Sequence, residues 1–197
     1  MNQVQLIWAH PRTDSLTARV VEKVRGELVT QGYEVTELDL YRSNFDPVLR
    51  VKDEPDWANP SKVHSDEVVE LGAQLSGKTA AFIVFPVWWY SLPAILKGYI
   101  DRVWNSGIAY GNAHLSLESA HWIALAGESE ASFAKRGLDK SLTLTLNTGI
   151  AGYCGIKNSK VTMLYDTHAE HADDLLTHHA MLIEQARQTV ADWAAQT

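Results

Sequence analysis

The sequence predicts a single α/β domain built around a parallel sheet, and three observations support this fold class. The chain has 197 residues, of which 46% are apolar and 21% are charged, as in globular proteins with one buried core. Short apolar runs alternate with longer segments in which apolar residues recur at helical spacing. The run 80–85 is apolar throughout, which is typical of a central parallel strand covered on both faces. We therefore expect one domain over residues 1–197.

The first part of the chain predicts a strand, a helix and a second strand. An apolar run over 4–9 predicts the first strand, and apolar residues at helical spacing over 16–28 predict a helix that ends near Gly32. Residues 33–40 alternate in the manner of a second strand. Residues 41–64 hold three prolines and little periodicity, so we expect a long surface excursion there.

The rest of the chain continues this alternation. Ser65 is expected to cap a helix that ends at Gly77, with two acidic residues in its first turn. After the strand over 80–85 we predict a helix starting at Pro93, a strand over 121–126, a weakly patterned helix within 141–154, a strand over 161–165 and a final helix over about 169–195. Five strands alternating with helices indicate a doubly wound sheet with helices on both faces, in which ligands bind at the carboxyl ends of the strands.

Charge and composition exclude several classes of protein. The chain has 17 basic and 24 acidic residues, and its net charge of −7 argues against nucleic-acid binding, which requires a basic face. The sequence holds neither an apolar stretch of membrane-spanning length nor a basic segment before its first apolar run, so we expect no membrane insertion and no signal peptide. The single Cys154 excludes an internal disulfide and fits a reducing cytoplasm.

The loop over 9–17 lies between the first strand and the first helix. Unpaired amides at a helix start favour a phosphate, and His10, Ser15 and Thr17 would add donors. The loop matches neither the dinucleotide-binding glycine pattern nor the P-loop pattern. The alternative is that Asp14 or Ser15 only caps the helix.

Three large aromatic residues, Trp88, Trp89 and Tyr90, follow the central strand at the edge where ligands are expected. Such a group can form the wall of a site for a planar ring system. The alternative is that the aromatic side chains pack against a neighbouring subunit.

A third loop, 125–130, follows the fourth strand, and its Gly127 permits close approach of the backbone to a ligand. Taken alone, this segment is better explained as an ordinary turn.

Histidines and the cysteine are interpreted as structural residues. His168, His171, His178 and His179 are expected on a solvated helix face and not in a metal site, because no carboxylate or cysteine completes a ligand set beside them. His114 and His121 are expected at the surface or a strand edge. Cys154 is expected to be a small buried residue without a role as a nucleophile.

Three segments carry a resemblance to a known family: AHPRTDSLT at 9–17, DLYRSNFDPVL at 39–49 and FPVWWYSLPAILKGYIDRVWNSGIAYG at 85–111. The chain resembles the flavodoxin-like NAD(P)H:quinone oxidoreductases, that is, the DT-diaphorase family and its small bacterial relatives, which include ancillary subunits of potassium efflux systems. The resemblance implies a three-layer sandwich with the parallel strand order 2-1-3-4-5. It also implies a homodimer with each active site at the subunit boundary, towards which Tyr110 would point.

The resemblance further implies a flavin, FAD or FMN, held by the three loops. The length of the excursion over 41–64 favours FAD. The phosphate and ribityl chain would be held by His10, Ser15, Leu16 and Thr17; the isoalloxazine would be lined by Pro86, Val87, Trp88, Trp89 and Tyr90; and its pyrimidine end would be covered by Ala126, Gly127 and Glu128.

Two departures from the family concern catalysis. The third loop carries Leu-Ala-Gly-Glu in place of the Thr-Thr-Gly-Gly of larger members. Phe133 and Asp139 stand where those members have a Tyr and a His that contact the reduced flavin. We therefore assign no proton relay.

The expected function is an NAD(P)H dehydrogenase (quinone)-type reaction. A hydride would pass from NAD(P)H through flavin N5 to a quinone or a similar flat acceptor in a ping-pong cycle, with Trp89 and Tyr90 as walls of the shared site. NADH and NADPH stay open as donors. The alternative is a flavin-binding ancillary or regulatory subunit of a potassium efflux transporter, and a one-electron carrier is a third hypothesis.

Overall fold

A computed structural model describes residues 2–59, 61–170 and 174–197. It shows a five-stranded parallel sheet in the order β2-β1-β3-β4-β5, which confirms the predicted fold class. The strands are β1 Gln3–Trp8, β2 Glu34–Asp39, β3 Ala80–Pro86, β4 Ser119–Leu125 and β5 Asn158–Leu164. The helices are α1 Leu16–Thr30, α2 Asp66–Ala73, α3 Ala94–Val103, α4 Glu130–Arg136, α5 Leu138–Leu144, a π-helix Thr145–Gly152 and α6 Leu175–Ala194.

Helices cover both faces of the sheet and give the three predicted layers. Alternate residues of β1 enter different cores: Leu6 packs with α1 and α6, whereas Ile7 packs with α2 and α3. Every residue of β3 and β4 is buried, as the unbroken apolar run over 80–85 predicts for a central strand. Because all five strands run in parallel, their carboxyl ends meet at one edge.

Several element boundaries differ from the prediction. The last helix begins at Leu175, where Asp174 accepts a hydrogen bond from the amide of Thr177 at 2.7 Å, so residues 165–170 belong to a loop. The weak pattern within 141–154 corresponds to the end of α5 and to the π-helix. Ser65 precedes α2, but its hydroxyl donates to Asp53 and does not cap the helix.

His121 corrects one expectation, because it lies in an internal strand and is 7% exposed. Its ring stacks on Phe82 at 4.6 Å between centroids, and Nε2 lies 3.2 Å from the Ser119 hydroxyl. Burial lowers the pKa of His121 to about 4. The residue is therefore a neutral core histidine.

The excursion over 41–64 is packed against α3. Pro47 lies so close to Gly98 that a Cβ there would stand 2.3 Å from the Pro47 carbonyl oxygen. Arg102 of α3 is buried and bonds to Asp53 at 2.9 Å and to Glu67 at 2.8 Å. These contacts fix a segment that has little secondary structure of its own.

Among the described residues, no helix combines the length and the apolar character that crossing a membrane requires.

Candidate functional site

Two adjoining cavities lie at the carboxyl edge of the sheet, where the sequence predicts the site. The α1 cavity, of about 410 Å³, is bordered by the loop after β1 and the start of α1. The turn cavity, of about 350 Å³, is bordered by the aromatic segment after β3 and the loop after β4. Val87, Gly127 and His168 line both. Their sizes fall within the range of small-molecule sites.

The α1 cavity is built on the first turn of a 15-residue helix. The Ser15 side chain accepts a hydrogen bond from the Ala18 amide at 3.1 Å, so Ser15 is the helix cap that the sequence allowed as an alternative. Helix geometry leaves the amides of Leu16 and Thr17 without intrahelical acceptors, next to the cavity that these residues line. Capping and anion binding at this helix start are therefore compatible.

Arg42 holds the loop after β1 in place. Its guanidinium donates to the carbonyl of Pro11 at 2.9 Å and to that of His10 at 2.5 Å, and it lies 4.8 Å from the centroid of the Trp8 ring. Burial is the main cause that lowers the pKa of His10, so this imidazole is neutral at pH 7. Arg42 positions the loop without lining either cavity.

The aromatic segment forms a tight turn with an unusual backbone. Trp88 and Ser91 exchange two backbone hydrogen bonds of 3.2 and 3.0 Å, and the residues between them have φ values of 52° for Trp89 and 58° for Tyr90. Two consecutive left-handed residues define the I′ type of turn, which costs about 1 kcal/mol per residue without glycine. The turn leaves the Trp89 side chain 95% exposed at the rim of the turn cavity.

A network of hydrogen bonds ties this turn to the loop after β4. The Tyr90 hydroxyl donates to one oxygen of Glu128 at 2.8 Å, while Arg136 bonds to the other at 2.7 Å and the Ser132 hydroxyl donates to that same oxygen. These three donors, Ser132 first, lower the pKa of Glu128 to about 2. Glu128 is therefore an anion throughout the physiological range.

The loop after β4 is joined to the segment after β5. The Thr167 amide donates to the Ala126 carbonyl at 3.0 Å, and the Asp166 amide donates to the Glu128 carbonyl at 2.9 Å. A Cβ on Gly127 would lie 2.8 Å from Nε2 of His168. The glycine thus gives room to the His168 ring, which lines both cavities beside it.

The structure places the predicted site residues as follows. The α1 cavity is lined by His10, Ser15, Leu16, Thr17, Pro86, Val87, Trp88 and Gly127; the turn cavity is lined by Val87, Trp89, Tyr90, Gly127 and Glu128. Ala126 is buried and lines neither cavity. Its amide donates to the Leu164 carbonyl, and its carbonyl accepts from the Thr167 amide.

Other lining residues escaped the sequence analysis. The α1 cavity also contains Arg12, Thr167, His168, Leu175 and His179, and Glu170 lines the turn cavity. His168 and His179 were expected on a solvated helix, but His168 lies in the loop after β5, and His179 bonds to the Thr167 carbonyl at 2.9 Å. The position of this loop at the carboxyl end of the fifth strand was the signal that could have revealed it.

The remaining candidates lie as follows. Phe133 is buried between the rings of Tyr90 and Tyr165 and contributes a wall to the turn cavity, whereas Asp139 lines neither cavity. Cys154 is buried, and burial raises the pKa of its thiol to about 11. Among the described residues no His, Cys, Asp and Glu group has the arrangement of a metal site, and the candidate His171 lies outside those residues.

The sheet, its open carboxyl edge and the two cavities define a doubly wound α/β protein with a candidate ligand site bordered by its loops. Comparison with known proteins agrees. A family model described as a flavodoxin-like fold matches residues 2–188. The uncharacterized NAD(P)H oxidoreductase YcaK of Escherichia coli K12 is 43% identical over 95% of this chain and 96% of its own.

Two more distant relatives are also similar. The ribosyldihydronicotinamide dehydrogenase (quinone) of Rattus norvegicus is 27% identical, covering 79% of this chain and 78% of its own. A solved NAD(P)H:quinone oxidoreductase from Methanothermobacter marburgensis has a TM-score of 0.85 at 26% identity, over 95% of this chain and 94% of its own. The chain belongs to the flavodoxin-like fold family, among the NAD(P)H:quinone oxidoreductases that the sequence resembles, and it is an oxidoreductase enzyme.

Proposed function

We propose that this protein is a flavin-dependent NAD(P)H:quinone oxidoreductase that reduces quinones or similar flat acceptors by two electrons. One observation carries the proposal: a cavity at a helix amino terminus adjoins an aromatic-walled cavity, and the two share Val87, Gly127 and His168. An anionic phosphate suits the first cavity and a planar ring suits the second. A flavin mononucleotide unit has these two parts.

The residues present fit such a cofactor. The amides of Leu16 and Thr17 and the Arg12 side chain would hold the phosphate, with His10 beside them. Trp88, Trp89 and Tyr90 border the space for the ring, and Phe133 backs Tyr90. Glu128 and Glu170 line the same cavity beside these rings.

When bound, a flavin supplies the chemistry of the reaction by taking a hydride from a dihydronicotinamide and returning it to an acceptor. The protein's part is orientation and electrostatics. The Tyr90 bond to Glu128 fixes the turn that carries the aromatic walls. Phe133 and Asp139 supply no Tyr–His pair, so we propose no proton relay.

We also propose a homodimer in the cytoplasm, with each site completed at the subunit boundary. An exposed aromatic group supports this association: Trp57 and Tyr153 are 73% and 63% exposed, and both rings contact Tyr110. Beside the site, Trp89 is 95% exposed, more than any other large apolar side chain that the structure describes.

The described residues of the excursion over 41–64, whose length favours FAD, line neither cavity. FAD is still our proposed cofactor, with FMN as the alternative, and NADH and NADPH are both proposed as donors. Identification of the flavin released from the protein by heat separates FAD from FMN.

An absorbance spectrum of the purified protein across the near-ultraviolet and visible range tests the proposal. We expect flavin bands, either as purified or after incubation with FAD or FMN. A protein that stays colourless after both incubations has no flavin site and is not the proposed enzyme.

A further inference from the structure

The two cavities differ in the charge of the residues that line them. Among the described residues, the lining of the α1 cavity includes one arginine and three histidines but no carboxylate. The lining of the turn cavity includes Glu128 and Glu170 but no arginine or lysine. An acceptor that enters beside Tyr90 therefore meets a negative surface, whereas an anionic group at the start of α1 meets donors.

Glu128 is the better defined of the two carboxylates. The hydroxyls of Tyr90 and Ser132 and the Arg136 guanidinium bond to its two oxygens, so its charge has a fixed position at the cavity. Arg136 offsets part of this charge, but it does not line the cavity. The negative member of the ion pair thus faces the turn cavity, where an acceptor would stack beside the proposed flavin ring.

We propose that Glu128 is a specificity-determining residue that makes the turn cavity favour uncharged or cationic flat acceptors over anionic ones. This inference rests on the proposed reductase function and adds to it the charge class of the acceptor. A fixed negative charge disfavours an approaching anion and leaves a neutral ring unaffected, whereas the aromatic walls bind both.

The chain offers a set of matched variants. Glu128→Gln keeps one acceptor oxygen, which can bond to Tyr90 or to Ser132 but not to both, and it removes the charge and leaves Arg136 without its partner. Arg136→Gln removes the compensating charge and leaves Glu128. Glu118→Gln changes the net charge by the same amount as Glu128→Gln, at an exposed position next to the amino end of β4, on the opposite edge of the sheet.

The test compares kcat/KM of the flavin-loaded enzyme for naphthoquinone and for naphthoquinone sulfonate. We expect Glu128→Gln to lower the neutral-to-anionic ratio by about three- to tenfold, mainly through KM of the sulfonate, because one charge is lost near the ligand. Arg136→Gln should raise the ratio, and Glu118→Gln should leave it unchanged. The effect of Glu128→Gln should shrink in added salt.

Equilibrium binding gives a readout that does not depend on turnover. Naphthol and naphthalenesulfonate are titrated into the same protein and followed by quenching of tryptophan fluorescence. In Glu128→Gln the Kd of the sulfonate should fall by about the same factor as its KM, while that of naphthol stays constant.

The outcomes separate this inference from the proposed function. If both quinones are reduced but the ratio is the same in all variants, or moves equally in Glu118→Gln, then Glu128 does not set acceptor charge. If neither quinone is reduced, the proposed function fails, and the naphthol and naphthalenesulfonate titrations still decide whether Glu128 repels anions from this cavity.

Discussion

The hydroxyl of Tyr90 donates to the carboxylate of Glu128 at 2.8 Å and so joins the turn after β3 to the loop after β4. Tyr90 sits in a left-handed backbone conformation, so contacts made by its side chain must help to hold the turn. The ring of Tyr90 packs against Phe133 at 5.5 Å between centroids. One wall of the candidate site therefore depends on this side chain at both its ring and its hydroxyl.

Replacement of Tyr90 by Phe tests the hydrogen bond alone, because the ring contact with Phe133 is kept. We expect flavin affinity to fall by about three- to tenfold, the net contribution of one ordinary hydrogen bond, because the bond between Tyr90 and Glu128 is exposed to solvent. Isothermal titration of the apoprotein with flavin measures this change. Tyr33→Phe removes a hydroxyl that bonds to Thr197, at a residue that lines neither cavity, and serves as the control. Equal affinities for all three proteins would show that the bond does not shape the site.

Arg42 is expected to act on flavin binding from outside the cavities. Replacement of Arg42 by Ala releases the carbonyls of His10 and Pro11 and frees the loop before α1. We expect about a tenfold rise in the Kd for flavin, with little change in the far-ultraviolet circular dichroism. Arg50→Ala, in the same excursion but in an exposed ion pair with Asp46, should leave the Kd unchanged. An unaltered Kd in Arg42→Ala would show that Arg42 does not position this loop for flavin binding.

The contact between Gly98 and Pro47 predicts a large loss of stability on Gly98→Ala. The new methyl group would overlap backbone atoms of the excursion, so we expect the free energy of unfolding to fall by about 2–4 kcal/mol. Gly26→Ala in α1 is the matched control, since no atom lies within 4 Å of its added Cβ, and it should stabilise by about 0.5–1 kcal/mol. Chemical denaturation measures both, and a neutral Gly98→Ala would show that the excursion moves away at little cost.

Protonation of His121 is expected to lower the free energy of unfolding in acid. Its pKa is lowered from 6.5 to about 4 in the folded protein, so the stability that depends on its neutral form is present above pH 6.5 and is lost as the pH falls towards 4. The loss amounts to about 3 kcal/mol for this single group. His121→Phe keeps a ring against Phe82 but cannot be protonated.

Urea denaturation of the wild-type protein and of His121→Phe at pH 7 and pH 4 isolates this component. The difference in unfolding free energy between the two proteins should move by about 3 kcal/mol in favour of the variant on acidification. A constant difference would mean that His121 binds a proton as readily in the folded protein as in the unfolded chain.

The sequence predicts most of the architecture because local signals and packing agree. The apolar run over 80–85 becomes the buried strand β3, and Ser15 caps α1. The loops after β1, β3 and β4, which the sequence singles out, border the two cavities. Parallel strands make this possible, since their carboxyl ends must meet at one edge whatever the loop sequences are.

Two features of the site could not be predicted from sequence patterns, because they depend on tertiary contacts. The turn at Trp89 and Tyr90 lacks the Asn-Gly signal of its type, and side-chain contacts compensate for its backbone. The last helix was predicted to begin at about residue 169, but Ala169 lies in the loop after β5 and has a φ of 56°, which helices exclude. This loop therefore brings His168 to the site instead of presenting it on a helix.

Anaerobic titration of the flavin-loaded protein tests the central claim most directly. One equivalent of NADH or NADPH should bleach the flavin absorbance, and one equivalent of naphthoquinone should restore it without a lasting one-electron species. A protein that binds flavin but is bleached by neither nicotinamide, or is not reoxidised by the quinone, would contradict the assignment of quinone reduction to this site.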